Sequence, residues 1–153
     1  MERKTIKSFK DLDVYQGLYR ACILVMTEVV DELPSQERFD LRDQLSRSSK
    51  SAPRLVAEGY AKKHQRQGFQ KYLDDAMAEC NECIVNLEQV KDIYHINPLL
   101  CDELIDTYDK SARQLYRLAE AWGAFKNRRR TTTPINDTGG NNLNVRGNEG
   151  EGN

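Results

Sequence analysis

Gln44-Leu45-Ser46-Arg47-Ser48-Ser49-Lys50-Ser51-Ala52-Pro53-Arg54-Leu55-Val56-Ala57-Glu58-Gly59 is the stretch that decides the fold. Leu45, Ser48, Ala52, Val56 and Gly59 recur at spacings of three and four, which is one face of an α-helix. The face is small rather than bulky, so a second helix can approach it closely. Arg47, Lys50 and Arg54 repeat at the same spacing on another face and form a basic stripe. Pro53 removes one backbone donor inside the segment, and Gly59 reads as the stop of the helix. Such a helix needs larger neighbours, and the flanking sequence supplies them.

Downstream, Lys62 to Gly68 is a short polar connection, and a third helix is expected from about Gln67 to Ile96. Its apolar stripe runs through Phe69, Leu73, Ala76, Cys80, Cys83, Ile84, Leu87, Val90 and Tyr94. Asn97-Pro98 breaks it, and Pro98 suits the first position of a fourth helix carrying Cys101, Leu104, Tyr108, Leu115 and Trp122 among its apolar residues. Upstream, Val14, Leu18, Ala21, Cys22, Val25, Val29 and Leu33 give a first helix from about Asp11 to Leu33. Pro34-Ser35 ends it, with Ser35 placed to cap the second helix. No alternating strand pattern competes, so the expected fold is all-α, an antiparallel up-down four-helix bundle. Residues 1–10 read as an N-terminal extension and 11–127 as the bundle. Residues 128–153 read as a basic cluster, Arg128-Arg129-Arg130, and a disordered C-terminal tail, because a run so rich in Gly and Asn buries too little apolar surface to fold.

The 153 residues carry a formal net charge of only −1, so bulk charge does not announce a nucleic-acid protein. Segment 38–66 is different: eight Lys and Arg stand against three acidic residues, a net of +5. The expected nucleic-acid contacts are Arg42, Arg47, Lys50, Arg54, Lys62, Lys63 and Arg66. With no base-reading motif present, they would meet the phosphate backbone. No apolar run approaches the ~20 residues of a membrane span, and the N-terminal residues lack an apolar export region. The expected location is therefore the cytoplasm, without membrane contact, and the four cysteines are expected to be reduced core residues.

The ordered anchors Phe9-x-x-Leu12-x-Val14-Tyr15-Gln16, Pro34, Glu37, Gln44-Leu45-x-Arg47, Pro53, Ala57-Glu58-Gly59, Phe69 and Tyr72-Leu73 resemble those of the bacterial four-helix bundle proteins encoded by intervening sequences of 23S ribosomal RNA genes. The resemblance covers about residues 8–125. Departures are Tyr15 where that family usually has Trp, Ser46 in place of a second Arg, Ser48 and Ser49 in place of Ala, and Leu55 in place of Asn. The resemblance implies a homopentamer around a central channel with a basic surface. A more distant similarity, to the accessory variability determinant of diversity-generating retroelements, implies a reverse transcriptase and nucleic acid as partners.

Other constellations carry little chemistry. Cys80-x-x-Cys83 would need two further ligands to hold zinc, and both cysteines fill positions of the apolar stripe. Glu58 has no second carboxylate or nucleophile beside it and is expected to pair with Arg54, one turn earlier. Tyr15, Tyr19, Tyr60 and Tyr116 suit a subunit interface. No cofactor, metal or catalytic site is expected. The leading expectation is a non-enzymatic homo-oligomeric bundle that binds RNA or DNA, as an accessory to a ribonucleoprotein or a reverse transcriptase. The alternative is a protein-interaction scaffold without nucleic-acid binding.

Overall fold

The long helices are α1 (Asp13–Leu24), α2 (Leu41–Ala61), α3 (Gly68–Tyr94) and α4 (Pro98–Thr131). The computed structural model describes residues 4–65 and 67–131, with only the backbone of residues 125, 126 and 129–131. The expected tail lies, from residue 132 onward, outside the described residues. Among the described residues there is no strand. α3 is the hub, packed along its length against α2 on one side and α4 on the other, and α1 closes the bundle against α2 and α4.

Each apolar stripe faces the common core. Leu18, Val25, Leu45, Val56, Phe69, Leu73, Leu87, Leu104, Tyr108 and Leu115 are all buried there, and full burial of each large apolar side chain contributes about 1.5–3 kcal/mol. α1 is prolonged by a π-helical turn over Val25–Val29 and a 3-10 turn over Val30–Glu32, which keep Val25, Val29 and Val30 turned inward. The α3–α4 corner is tight: His95 (φ 52°) and Asn97 (φ 38°) are both left-handed, and Pro98 opens α4. That is the arrangement expected of a helix stop followed by proline at a first helical position.

The small face of α2 is buried as its spacing requires, with Leu45, Ser48, Ala52, Val56 and Gly59 all inside. Two expectations about the ends of this helix are corrected. Ser35 does not cap α2: residues Ser35–Glu37 form a separate 3-10 turn, and α2 begins only at Leu41. The cap comes from Glu37, whose Oε2 accepts the Leu41 amide at 3.1 Å. Gly59 does not stop the helix, which runs on to Ala61. A Cβ at Gly59 would lie 2.6 Å from the Cβ of Tyr72 and 3.0 Å from Cδ2 of Phe69. The glycine is there because the α2 and α3 backbones converge, and that requirement is tertiary rather than local.

The end of α4 also differs from the expected division of the chain at residue 127. The helix continues to Thr131, so residues 128–130 belong to its last turns. At the other terminus, Phe9 sits in a 3-10 turn over Phe9–Asp11 and packs edge-on against Tyr15, with ring centroids 4.9 Å apart. The extension is thus tied to α1 where the aromatic side chains begin.

Candidate nucleic-acid interface

The seven cations expected to form the site do not act alike. Arg42 is held by Asp31 at 2.8 Å, and Arg47 by Asp43 one turn back at 3.1 Å. Lys62 donates a hydrogen bond to the Tyr72 hydroxyl, which raises the lysine pKa. Lys63 lies 3.9 Å from the ring centroid of Tyr60, a cation–π contact. Arg66 falls outside the described residues. Lys50 and Arg54 remain: neither forms an ion pair with a carboxylate among the described residues. Arg54 is exposed and Lys50 half-buried. The expected Arg54–Glu58 pair does not form; the Glu58 charge acts on Lys62 instead.

Lys50 and Arg54 stand on a crest between two grooves. Toward α3, a groove of about 440 Å³ is lined by Arg47, Lys50, Ser51 and Arg54 on one bank and Glu79 and Glu82 on the other. Ser51 donates to Glu79 Oε1 at 3.2 Å. Burial pushes the Glu79 pKa up; the Ser51 hydrogen bond and the Arg47 charge oppose the rise, while Glu82 adds to it. Basic and acidic side chains face each other across this groove, while the ion pair of Arg47 is with Asp43 of its own helix.

Toward α1 the surroundings change. A groove of about 300 Å³ is lined by Phe9, Tyr15, Tyr19 and Cys22 from the N-terminal side and by Lys50, Pro53, Arg54 and Ala57 of α2. A second hollow, over the ridge made by Tyr15 and Tyr19, is lined by Lys10, Gln16 and Arg20. Every charged side chain lining these two hollows is a cation. Tyr15 and Tyr19 stack at 6.0 Å and 21°, and Tyr19 is still 52 % exposed. Cys22 forms part of the floor. Its pKa is raised by burial, and Ser49, Lys50 and Arg54 counter part of the rise.

The remaining thiols belong to the core. Cys80 and Cys83 are fully buried, and desolvation pushes both pKa values up to about 12. The Cys83 thiol donates to Ser48 Oγ at 3.3 Å, which joins α3 to the small face of α2. Beside it, Tyr108 is buried on α4 with its own pKa raised, chiefly by burial. Among the described residues, no group of three or more His, Cys, Asp or Glu side chains is arranged to hold a metal ion. Nor is any helix there long and apolar enough to cross a membrane.

The family model of the 23S rRNA-intervening sequence protein matches residues 10–117, well over half of the chain. The chain belongs to this family. No curated protein matches it. The matched residues of this 23S rRNA-intervening sequence protein include all of α1, α2 and α3, so the crest of Lys50 and Arg54 and the Tyr15–Tyr19 ridge both lie within the family region.

Lys10 and Arg20 are not among the cations expected from the sequence, which reads Tyr15 and Tyr19 as suited to a subunit interface. The i,i+4 spacing of Tyr15 with Tyr19 was visible in the sequence. Its position opposite Lys50 and Arg54 was not, because it depends on how α1 lies against α2.

Proposed function

We propose that this protein is a non-enzymatic, homo-oligomeric bundle that binds the nucleic-acid backbone through its α1–α2 surface. The carrying observation is that Lys50 and Arg54 lack carboxylate partners on a face lined otherwise by Lys10 and Arg20. Cations already paired within the fold give up an existing interaction when they meet a phosphate, whereas Lys50 and Arg54 do not. Two to four phosphate contacts per subunit would give weak binding at physiological salt. Several copies presenting the same face would multiply them, and five is the number implied by the resemblance. An accessory role beside a ribonucleoprotein or a reverse transcriptase fits this reading.

The test is a binding titration of the full chain with labelled RNA and DNA between about 50 and 200 mM salt. The expected result is measurable affinity at low salt that falls steeply as salt rises. Replacing Lys50 and Arg54 together by Glu should abolish it while helicity and assembly stay intact. Absence of binding by the wild type to RNA and DNA at low salt would overturn the proposal.

One observation favours a second reading, the interaction scaffold. The hydrogen bond from the Tyr94 hydroxyl to Glu37 ties the end of α3 to the approach to α2. At that end of the bundle, Phe39 is 85 % exposed, Leu99 79 % and Ile93 60 %. Apolar side chains so exposed suit contact with another copy or another protein. A stable protein partner without any salt-sensitive nucleic-acid affinity would favour this reading over the first.

A further inference from the structure

We infer that the α1–α2 surface takes single-stranded nucleic acid, with an unstacked base held against the Tyr15–Tyr19 ridge and the neighbouring phosphates on Lys50, Arg54, Lys10 and Arg20. This rests on the proposed nucleic-acid reading and narrows it to one class of ligand.

A phosphate-only site needs cations and nothing else. This surface places a groove of about 300 Å³, with an apolar floor of Phe9, Tyr15, Pro53 and Ala57, directly beside its cations. Cations also stand on the far side of the ridge, where Lys10 and Arg20 line the second hollow. An aromatic ridge with positive charge on both sides matches the chemistry of a single strand, whose bases offer flat apolar faces and whose backbone carries a charge at every step. A duplex cannot use the ridge, because its bases are already stacked. A protein partner would need to be anionic at both rims and planar between them. A second copy of this chain brings no such combination from its own Tyr15–Tyr19 face, since both copies would present cations.

The geometry also explains why Tyr19 remains outside the core. It is 52 % exposed although Tyr15 stacks on it. No hydrogen bond from its hydroxyl is formed among the described residues, and Tyr19 belongs neither to the buried core nor to the residues packed against it.

The test compares a labelled oligothymidylate with a duplex DNA of equal length, by fluorescence anisotropy on the full chain. Tyr19→Ala should weaken oligothymidylate binding roughly 5- to 150-fold, the range for losing one stacked base, and leave duplex affinity unchanged. Tyr19→Leu should lose as much, since it keeps apolar bulk but has no π-face, while Tyr19→Trp should bind as tightly as wild type. The salt slope should be the same for all three, because no charge is removed. The inference fails if Tyr19→Ala or Tyr19→Leu binds oligothymidylate like wild type, or if either weakens both ligands equally. In those cases the charge-based reading survives, provided that the Lys50→Glu, Arg54→Glu protein loses both ligands. If wild type binds neither ligand at low salt, both readings fall together.

Discussion

The two flanks of α2 carry the same basic stripe and do opposite things with it. On the α3 side, Arg47, Lys50, Ser51 and Arg54 line a groove shared with Glu79 and Glu82, and Arg47 is already bound to Asp43. On the α1 side, Lys50 and Arg54 face tyrosines and meet no carboxylate in the groove. Charge counted along a helix is therefore a poor guide to charge presented to a partner. What matters is what each cation already meets: Arg42 is held by Asp31 and Arg47 by Asp43, whereas Lys50 and Arg54 pair with no carboxylate among the described residues.

Closeness of packing also differs from one helix contact to another. At Gly59 the α3 flank leaves no room for a Cβ, whereas at Gly17, on the α1 face toward α4, the nearest atom to an added Cβ is Ser111 Oγ at 3.9 Å. Gly59→Ala should destabilise the bundle by about 1–3 kcal/mol through overpacking, partly offset by the better helix propensity of alanine. Gly17→Ala should instead be neutral or stabilising by up to about 1 kcal/mol. Thermal melts of the two variants measure this directly, and equal melting temperatures would show that α2 and α3 are not locked together at Gly59.

A smaller effect is expected from Glu79. Its pKa is raised in the folded protein, first by burial. The folded state therefore holds the proton more tightly than the unfolded chain, and stability falls as pH rises from the ordinary carboxylate value of 4.5 through the folded value. Glu79→Gln should remove that part of the pH dependence and modestly stabilise the protein at neutral pH. Denaturant titrations at pH 4.5 and 7.5 would show it, and an unchanged pH dependence would contradict the assignment. Smallest of all should be Arg42→Ala and Arg47→Ala. Their ion pairs with Asp31 and Asp43 are partly exposed, and such pairs contribute only about 0–1 kcal/mol.

The fold was legible in the sequence because periodicity reports burial directly. Leu45, Ser48, Ala52 and Val56 were read as an inner face from spacing alone, and all four are buried. The family was legible for a related reason, since ordered anchors along three helices fix a register. The ends of α2 were not legible. Ser35 carries the chemistry of a cap, and Glu37 reaches the Leu41 amide only because Ser35–Glu37 folds into its own turn. Gly59 carries the chemistry of a stop, and its role as a contact point depends on Tyr72 and Phe69 of another helix. The candidate site was half legible for the same reason. The cations could be named from sequence, and the Asp43–Arg47 pair is visible there as an i,i+4 spacing, but the rest of their division into engaged and available, with Arg42 meeting Asp31 and Arg54 not pairing with Glu58, required the fold.

The most direct test of that division is the salt dependence of single-stranded DNA binding by two paired variants. Lys50→Glu with Arg54→Glu, and Arg42→Glu with Arg47→Glu, change the net charge of the chain equally and alter the same helix. Each lost phosphate contact should reduce the slope of log affinity against log salt by about 0.7. The account predicts that the first pair flattens the slope by about 1.4 per subunit engaged and abolishes binding at physiological salt. The second pair should keep the wild-type slope and lose affinity only a few-fold, through long-range repulsion. Equal losses of slope in the two pairs would contradict the account and show that total charge, rather than the lack of a carboxylate partner, governs binding.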